Sequence, residues 1–281
     1  MKPSILITID VEDWFQVENF KSRIPFSSWP SRELRVEKNT LRLLDLLDSR
    51  RATFFILGWI AERLPGLVRE IHDRGHEVAS HGYNHNLCNQ QSNADLKADL
   101  TDSKKRLEDI IGFPVTGYRA PSFSINDDIL RIIEDCAYSY DSSYNSFAMH
   151  GRYGHADLSG NQRNGIAVRL SDNFHEIPVS NLMIGKRVFP LGGGGYFRLI
   201  PFPFFRWGVR KILEQEGGYV FYMHPWETDP EQPRVNSVSP SYKFRHYTNL
   251  GKTEDKLSAI FKAFRNAAFV TCREYLNSVR Q

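Results

Sequence analysis

The sequence SILITIDVED at residues 4–13 joins a continuous apolar run to three carboxylates. An isoleucine-rich run such as Ile5 to Ile9 is typical of a strand that is buried on both faces of a parallel sheet. The run stops at Asp10, so a buried strand leads directly into acidic side chains. Strand and helix patterns then alternate through the first half of the chain. This alternation predicts an α/β fold with a parallel sheet, open or closed into a barrel.

The alternation continues, element by element, to about residue 141. Further strands are expected at residues 52–57, 76–80, 115–118 and 138–140, and helices at residues 40–48, 67–73, 93–111 and 127–134. Residues 144–166 are rich in Ser, Gly, Asn and Tyr, which predicts a long surface excursion. Beyond it the pattern returns with a helix, a strand and a final helix at residues 204–215, 219–223 and 253–264.

Composition limits the class of protein. The chain has 281 residues, 41% of them hydrophobic, which is enough for a full core. A net charge of +3 with dispersed basic residues does not favour nucleic acid as a partner. The three cysteines form no CxxC pair, the N-terminus lacks a signal-peptide pattern, and no apolar run is long enough to span a bilayer. We therefore expect a soluble cytoplasmic protein without a transmembrane segment; the oligomeric state stays unknown.

Five chemically capable residues share one kind of position. Asp10, His81, Arg119, Asp141 and His224 each follow a predicted strand. In a parallel α/β barrel the C-terminal ends of the strands converge on one face, and active sites are built there. Five such placements on five strands predict an active site.

The segment His81-Gly82-Tyr83-Asn84-His85 places two imidazoles four residues apart. On a helical turn both rings would face one cation, although two surface histidines are the simpler alternative. The three carboxylates of residues 10–13 favour the metal, because a cation relieves their mutual repulsion. An acidic helix N-terminus is the alternative for that segment. Two histidines and one carboxylate with open positions describe a hydrolytic zinc-type site.

Two further residues could assist proton transfer, one by orienting the base and one by donating a proton. Arg119 cannot lose its charge, so beside Asp10 it would orient that carboxylate; an ordinary salt bridge is the alternative. His224 follows an apolar strand and is flanked by aromatic residues. A histidine there is often structural, but it can also donate a proton at neutral pH.

Taken in order, these motifs resemble the NodB-type polysaccharide deacetylases of carbohydrate esterase family 4. The shared order is a strand-end Asp, HxxxH, the RxPxxS of residues 119–124, an Asp after a strand, and a late strand-end His. The resemblance implies an irregular (β/α) barrel of about seven parallel strands. It would occupy residues 1–226, with residues 227–281 as a C-terminal extension packed on the same domain.

The resemblance also implies roles for the catalytic residues. Asp10 matches the general base, Arg119 the arginine that steadies it, and Asp141 a supporting acid. His224 matches the general acid. In this mechanism the base takes a proton from the attacking water and the acid protonates the departing amine.

His81 and His85 match the ligands of one divalent metal, expected to be Zn²⁺. The third ligand is an open choice, because the family's adjacent acids are replaced here by Asp-Val-Glu-Asp. Side chains along a strand alternate between its two sides, so Glu12 points inward if Asp10 does. This favours Glu12 as the third metal ligand. Asp13 reaches the metal only if the chain turns at once.

Two departures concern the surroundings of the site. Gly82 replaces the usual Ser or Thr inside HxxxH, and Tyr222 stands where a leucine of the acetate pocket is common. Aromatic side chains are expected to stack on sugar rings. The residues expected at the glycan are Pro121, Tyr222 and Trp226, with Tyr196 and Phe197 as further stacking aromatics.

The implied activity is metal-dependent hydrolysis of N-acetyl groups from an N-acetylated glycan. The DVEDWF start and the HPWE tail resemble a subgroup near the peptidoglycan deacetylases, and within it the deacetylases of exopolysaccharide export. One alternative is an allantoinase-like small-molecule amidase, which a deep, closed pocket would favour. The other is a non-catalytic carbohydrate-binding barrel, which the loss of a core site residue would favour.

Overall fold

The computed structural model of the protein describes residues 2–147, 153–236 and 238–279. The strands are β1 Ser4–Val11, β2 Thr53–Ile56, β3 Glu77–Ser80, β4 Gly117–Tyr118, β5 Tyr140–Asp141, β6 Arg163–Asn164, β7 Ala167–Arg169, β8 His175–Glu176, β9 Leu182–Ile184, β10 Arg187–Phe189, β11 Gly218–Met223 and β12 Ala268–Phe269. The helices are α1 Val36–Leu47, α2 Gly58–Arg63, α3 Pro65–Asp73, α4 Asn93–Ile111, α5 Asp127–Asp135, α6 Gly194–Leu199, α7 Phe202–Glu216, α8 Pro240–Tyr247, α9 Thr253–Ala263 and α10 Cys272–Val279. Short 3-10 turns lie at Glu18–Phe20, Phe26–Ser31, Cys88–Gln90, Pro121–Phe123, Pro225–Thr228 and Leu250–Lys252.

A curled parallel sheet forms the centre of the described structure. Its strands run in the order β11-β1-β2-β3-β4-β5-β8 with all neighbours parallel, and the antiparallel strands β7 and β6 extend it. β1 is buried after its first residue and β2 throughout, as expected for strands covered on both faces. The chain after β8 approaches β11, where the Ser180 amide donates to the Val220 carbonyl oxygen across 3.3 Å. The predicted irregular α/β barrel is therefore confirmed, as an incompletely closed one.

Amphipathic helices cover the outside of the sheet. α4 buries Leu96, Leu100 and Leu107 along one face. It begins after Ser92, whose hydroxyl accepts the Asp95 amide hydrogen, and ends at Gly112 with φ 70°. Its bounds are those predicted from the sequence. No helix in the described ranges has both the length and the apolar composition needed to cross a bilayer.

The second half of the chain contains elements that its sequence pattern does not predict. Strands β6 to β10 and helices α6 and α8 occupy stretches in which the sequence predicts no helix or strand. These strands have only two or three residues, too few to show a period. The predicted surface excursion at 144–166 lies partly outside the described residues, and its described part includes the buried side chains of Phe147, Ala156 and Leu158.

Residues 227–279, in the predicted C-terminal extension, return to the first strands of the sheet. β12 pairs in parallel with β1, with Ser4 opposite Ala268. The Cys272 amide at the start of α10 donates to Oγ1 of Thr53 in β2 across 2.9 Å. These contacts tie the end of the described chain to its beginning.

Candidate active site

The inner side of the first strand carries three polar side chains in a row. Thr8, Asp10 and Glu12 alternate with apolar residues, because side chains along a strand have a period of two. All three are at least 97% buried. They lie at the C-terminal end of a central strand, the edge at which parallel α/β barrels form their sites.

Glu12 lies against two imidazole nitrogens. Its Oε1 atom is 3.1 Å from Nε2 of His81 and 3.0 Å from Nε2 of His85. Nδ1 of His81 is 2.7 Å from the carbonyl oxygen of Arg119, which only accepts, so Nδ1 carries the hydrogen. In the neutral ring, the Nε2 lone pair therefore points at a carboxylate oxygen. Such opposed acceptors are stabilised by a cation between them or by protonation of the ring.

This cluster suits a divalent cation. The candidate ligand atoms of Glu12, His81 and His85 all lie within 4.8 Å of one another, and so do those of Asp10, Glu12 and His224. Burial by itself raises the pKa of Glu12, but the surrounding histidines outweigh it and hold that pKa well below its usual value. An ionised carboxylate with two imidazoles is a donor set typical of hydrolytic metal sites. The residues present therefore fit a metal.

His81 and His85 lie in a loop after β3, so the expectation of a helical turn at HxxxH is wrong. Gly82 has φ 73° and His85 φ 57°, and this bent backbone directs both rings to the same carboxylate. A Cβ atom at position 82 would come within 2.7 Å of Oδ2 of Asp99 in α4. Asp99 also accepts the amide hydrogen of the following residue. Position 82 therefore lacks the hydroxyl of the usual Ser or Thr, and Asp99 of α4 holds this loop instead. Asp99 lies so close that only glycine fits at position 82.

Asp13, the other candidate for the metal carboxylate, is used elsewhere. Its Oδ1 atom accepts the Trp14 amide hydrogen across 2.8 Å, and its Oδ2 atom accepts those of Arg35 and Val36 across 2.7 and 2.9 Å. Val36 is the first residue of α1, so Asp13 caps this helix from a distance in sequence. This geometry corrects the assignment of Asp13 to the metal set. Alternation keeps Glu12 on the inner side.

Arg119 is fully buried and connects β1 to the chain beyond β5. Its Nη1 atom donates to Oδ1 of Asp10 across 2.8 Å and to Oγ1 of Thr8 across 2.7 Å. Nε and Nη2 donate to the carbonyl and the hydroxyl oxygen of Ser142, each across 2.8 Å. One oxygen of Asp10 is thus fixed, and the other lies 3.9 Å from Nε2 of His224. Because all three nitrogen atoms of this guanidinium donate hydrogen bonds, its position is rigidly fixed.

His224 is held by a carboxylate that no sequence motif indicated. Its Nδ1 atom lies 3.0 Å from Oε1 of Glu227, and Nε of Arg198 donates to the other oxygen of Glu227 across 2.8 Å. Burial lowers the pKa of His224, but the carboxylates of Glu12, Glu227 and Asp10 outweigh it and raise this pKa to about 9. The spacing of three residues between His224 and Glu227 was an available signal; Arg198 lies too far away in sequence to give one.

Trp226 supports His224 from one side. Its ring stacks 5.1 Å from that of His224 and 4.1 Å from that of His246. Only 7% of Trp226 is exposed, so it offers little open surface for a sugar ring. Phe197 is fully buried against Phe205 and Phe221, and the expectation that it stacks on sugars is wrong.

The side chains of Asp10, Glu12, His85 and His224 line a pocket that is partly open to solvent. Of the three expected substrate contacts, Tyr222 and Trp226 line the pocket, whereas Pro121 is buried and does not. Other lining residues include Glu18, Ser122, Phe123, Tyr196, Leu199 and Arg245.

Backbone strain is concentrated at this pocket. Six non-glycine residues in the described ranges have positive φ, and three of them, His85, Ser122 and Phe123, line it. Such conformations cost free energy and persist where the surrounding structure enforces them. This strain is a second sign of a functional site, beside the polar cluster.

Asp141 lies behind the pocket wall and does not line it. Its oxygens accept from the amide and the hydroxyl of Ser143 across 2.9 and 2.7 Å. The same hydroxyl oxygen accepts the Ala120 amide hydrogen across 2.8 Å. Burial raises the pKa of Asp141, which faces Glu176 across β5 and β8. The predicted supporting acid thus supports the chain next to Arg119 through Ser143.

Two family models match the chain. Residues 24–140 match the polysaccharide deacetylase family, and residues 142–277 match a domain of unknown function, DUF3473. The resemblance to the polysaccharide deacetylases is therefore confirmed over residues 24–140. His81, His85 and Arg119 lie in the first match and His224 in the second, whereas β1 precedes both.

Individual relatives agree with this family. A peptidoglycan-N-acetylglucosamine deacetylase from Bacillus cereus is 34% identical over 101 residues, which are 35% of this chain and 47% of that protein. The chain spans less than half the length of the curated relatives it matches.

Solved structures share the fold. A candidate polysaccharide deacetylase from Mycobacterium smegmatis superposes with a TM-score of 0.64 at 19% identity, covering 99% of this chain and 91% of that one. A CE4 family pseudoenzyme from Bacillus anthracis gives a TM-score of 0.55 at 14% identity, covering 98% and 66%. Because one protein with this fold is a pseudoenzyme, the fold alone does not establish activity, and the site residues have to be considered.

Proposed function

We propose that this protein is a metal-dependent N-deacetylase of an amino-sugar polysaccharide. One observation carries the proposal: Oε1 of Glu12 meets Nε2 of both His81 and His85 at hydrogen-bond distance, beside Asp10 and His224. Three residues that would suit a metal, beside a carboxylate and an imidazole that suit proton transfer, support this reaction. The names of the curated relatives support the reaction class.

Glu12, His81 and His85 would hold the cation, and the donor set favours Zn²⁺. When bound, the cation would polarise the acetamide carbonyl and lower the pKa of the attacking water. Asp10 is the general base. Arg119 holds its Oδ1 atom, which leaves Oδ2 to accept the proton of the water as the new carbon–oxygen bond forms.

His224 is the general acid. Glu227 holds its Nδ1 atom, so Nε2 points toward Asp10 and Glu12 with its proton available. The raised pKa keeps the ring protonated at neutral pH. As the carbon–nitrogen bond breaks, Nε2 gives its proton to the departing amine, and the products are acetate and a free amino sugar.

Glu18 positions His85 in this proposal. Its Oε2 atom lies 3.9 Å from Nδ1 of His85 and, within the described chain, accepts no hydrogen bond although it is buried. Metal-binding histidines usually donate their second ring hydrogen to a carboxylate or carbonyl, as His81 does to Arg119. Glu18 is the matching partner for His85 and was not indicated by the sequence.

The open pocket supports a polymer over the small substrate of an allantoinase-like amidase. The relatives' names favour an N-acetylglucosamine polymer, and the sequence resemblance favours exopolysaccharide metabolism. Against a non-catalytic barrel, the base, the acid and the three metal donors are all present in one cluster.

The test is acetate release by the zinc-loaded protein from N-acetylglucosamine oligomers and peptidoglycan, with allantoin as the small-molecule comparison. We expect acetate from a glycan and no turnover of allantoin. His81→Ala should remove both metal and activity, whereas His72→Ala, on the outer helix α3, serves as the matched control. A zinc-loaded protein that is inactive on every glycan would contradict the proposal.

A further inference from the structure

One segment of the chain is free of acidic residues. Residues 177–213 contain no Asp or Glu. The segment carries six basic residues, and Arg198 among them is buried against Glu227. The exposed five are Lys186, Arg187, Arg206, Arg210 and Lys211. In the described ranges, Lys211 alone of these five forms an ion pair, with Glu214.

The same segment exposes large apolar side chains. Ten large hydrophobic residues are exposed in the described chain, and half of them lie here. They are Met183, Ile184, Phe189, Phe204 and Trp207, with exposed fractions from 42% to 68%. Single exposed apolar residues are ordinary, but a group of this size on two neighbouring elements indicates a binding surface.

The hairpin of β9 and β10 and helix α7 form one continuous surface. Gly208 of α7 has no side chain, which leaves room for Leu182 and Leu191 of the hairpin region. Because strand side chains have a period of two, Ile184 lies on the hairpin face of Leu182. Phe204 and Trp207 lie one turn apart on α7, so they share a face of the helix. Phe189 lies opposite Leu182 in the hairpin and shares that side, whereas Met183 lies on the other side. We name the exposed apolar residues other than Met183, together with the five exposed basic residues, the aromatic-basic face.

We propose that the aromatic-basic face docks on the surface of an anionic lipid bilayer. Aromatic rings insert at the level of the lipid headgroups, while lysine and arginine contact anionic phosphates from the same face. A second copy of this chain would place the same cations against each other, and like charges opposite one another disfavour that contact. An anionic bilayer matches both the apolar and the charged part of this surface.

Docking would also place the pocket near the membrane. Helix α6 lies between the hairpin and α7 in sequence, and its residues Tyr196 and Leu199 line the pocket. A glycan that is attached to or emerging at the bilayer surface would then be within reach. This inference concerns localisation at a surface and does not depend on the proposed reaction.

The test is flotation of the full chain with two kinds of vesicle, phosphatidylcholine alone and phosphatidylcholine mixed with phosphatidylglycerol. We expect binding to the mixed vesicles, weakened by added salt. The double variant Phe204→Ser/Trp207→Ser should bind these vesicles at least about tenfold more weakly, because it removes two rings that insert into the bilayer. Phe113→Ser, which changes a 57% exposed phenylalanine outside this segment, is the matched control and should bind normally.

Any of three results would overturn the proposal. One is the absence of binding to the mixed vesicles, and another is binding that the double variant leaves unchanged. The third is self-association of the protein, measured by sedimentation, that the same double variant abolishes, since the face would then bind a second copy. Circular dichroism of the variants establishes that both are folded, as expected for exposed positions.

Discussion

Oε1 of Glu227 lies 3.0 Å from Nδ1 of His224, three residues earlier in the same turn. The other oxygen of Glu227 accepts from Arg198, so a buried chain of arginine, carboxylate and imidazole ends at the pocket. Electrostatic interactions are stronger where water is excluded, which makes this chain an effective control on the proton affinity of His224. Its Nε2 atom is left to face Asp10 and Glu12.

Replacing Glu227 by Gln should lower the pKa of His224 from about 9, because a negative charge that stabilises the protonated ring is removed. NMR titration of the metal-free protein measures this directly. Since the proposed acid works in its protonated form, the alkaline limb of turnover should also move to lower pH. A metal-free Glu227→Gln protein in which His224 titrates as in the wild type would contradict this role.

Substitutions of Glu12 and of Asp13 should differ in their effects on zinc affinity and on the free energy of unfolding. Glu12→Gln should weaken zinc binding by about 10-fold or more, because it removes a charged ligand. Asp13→Ala should leave the zinc affinity near that of the wild type but lower the free energy of unfolding by about 2 kcal/mol, because it removes a helix cap. Calorimetric zinc titration and thermal unfolding measure the two. A loss of zinc affinity confined to the Asp13 variant would reverse the assignment.

Arg119→Lys should lower kcat by about 10²-fold, since a single ammonium cannot replace the contacts that orient Asp10. Zinc content should be unchanged, because the backbone carbonyl at 119, not the guanidinium, contacts His81. The measurement is kcat together with metal analysis. Arg131→Lys, on the exposed side of α5, is the control. An Arg119→Lys enzyme with wild-type kcat would show that the guanidinium does not position the base.

Much of the site was predictable because its residues follow strands. The run Ile5 to Ile9 indicates a buried strand, and period two along it places Asp10 and Glu12 on one side. The same reasoning placed His81 and His224 at the ends of strands. Neighbouring parallel strands then bring these residues together with no further information.

The unpredicted parts depend on contacts between distant segments. Arg198 contacts Glu227 across 29 positions, and Asp99 of helix α4 contacts the loop at Gly82. No local pattern records such pairs. The helical turn predicted for HxxxH is wrong because His85 has a positive φ. The surrounding structure imposes this φ, and the residue's own preference does not indicate it.

Glu18→Gln should weaken zinc binding by about 10-fold, since a neutral amide orients and polarises His85 less than a carboxylate does. The measurement is zinc affinity by competition with a chelator. Glu33→Gln provides a control, because Glu33 is exposed and pairs with Arg35 away from the metal donors. Equal zinc affinities for Glu18→Gln and the wild type would remove Glu18 from the proposed site.

The most direct test of the account is acetate release by Asp10→Asn, measured with the zinc content of the same sample. The variant should retain zinc, because Glu12, His81 and His85 supply the donors. It should release acetate from N-acetylglucosamine oligomers at least about 10²-fold more slowly than the wild type. A zinc-loaded Asp10→Asn protein that releases acetate at the wild-type rate would contradict the central claim.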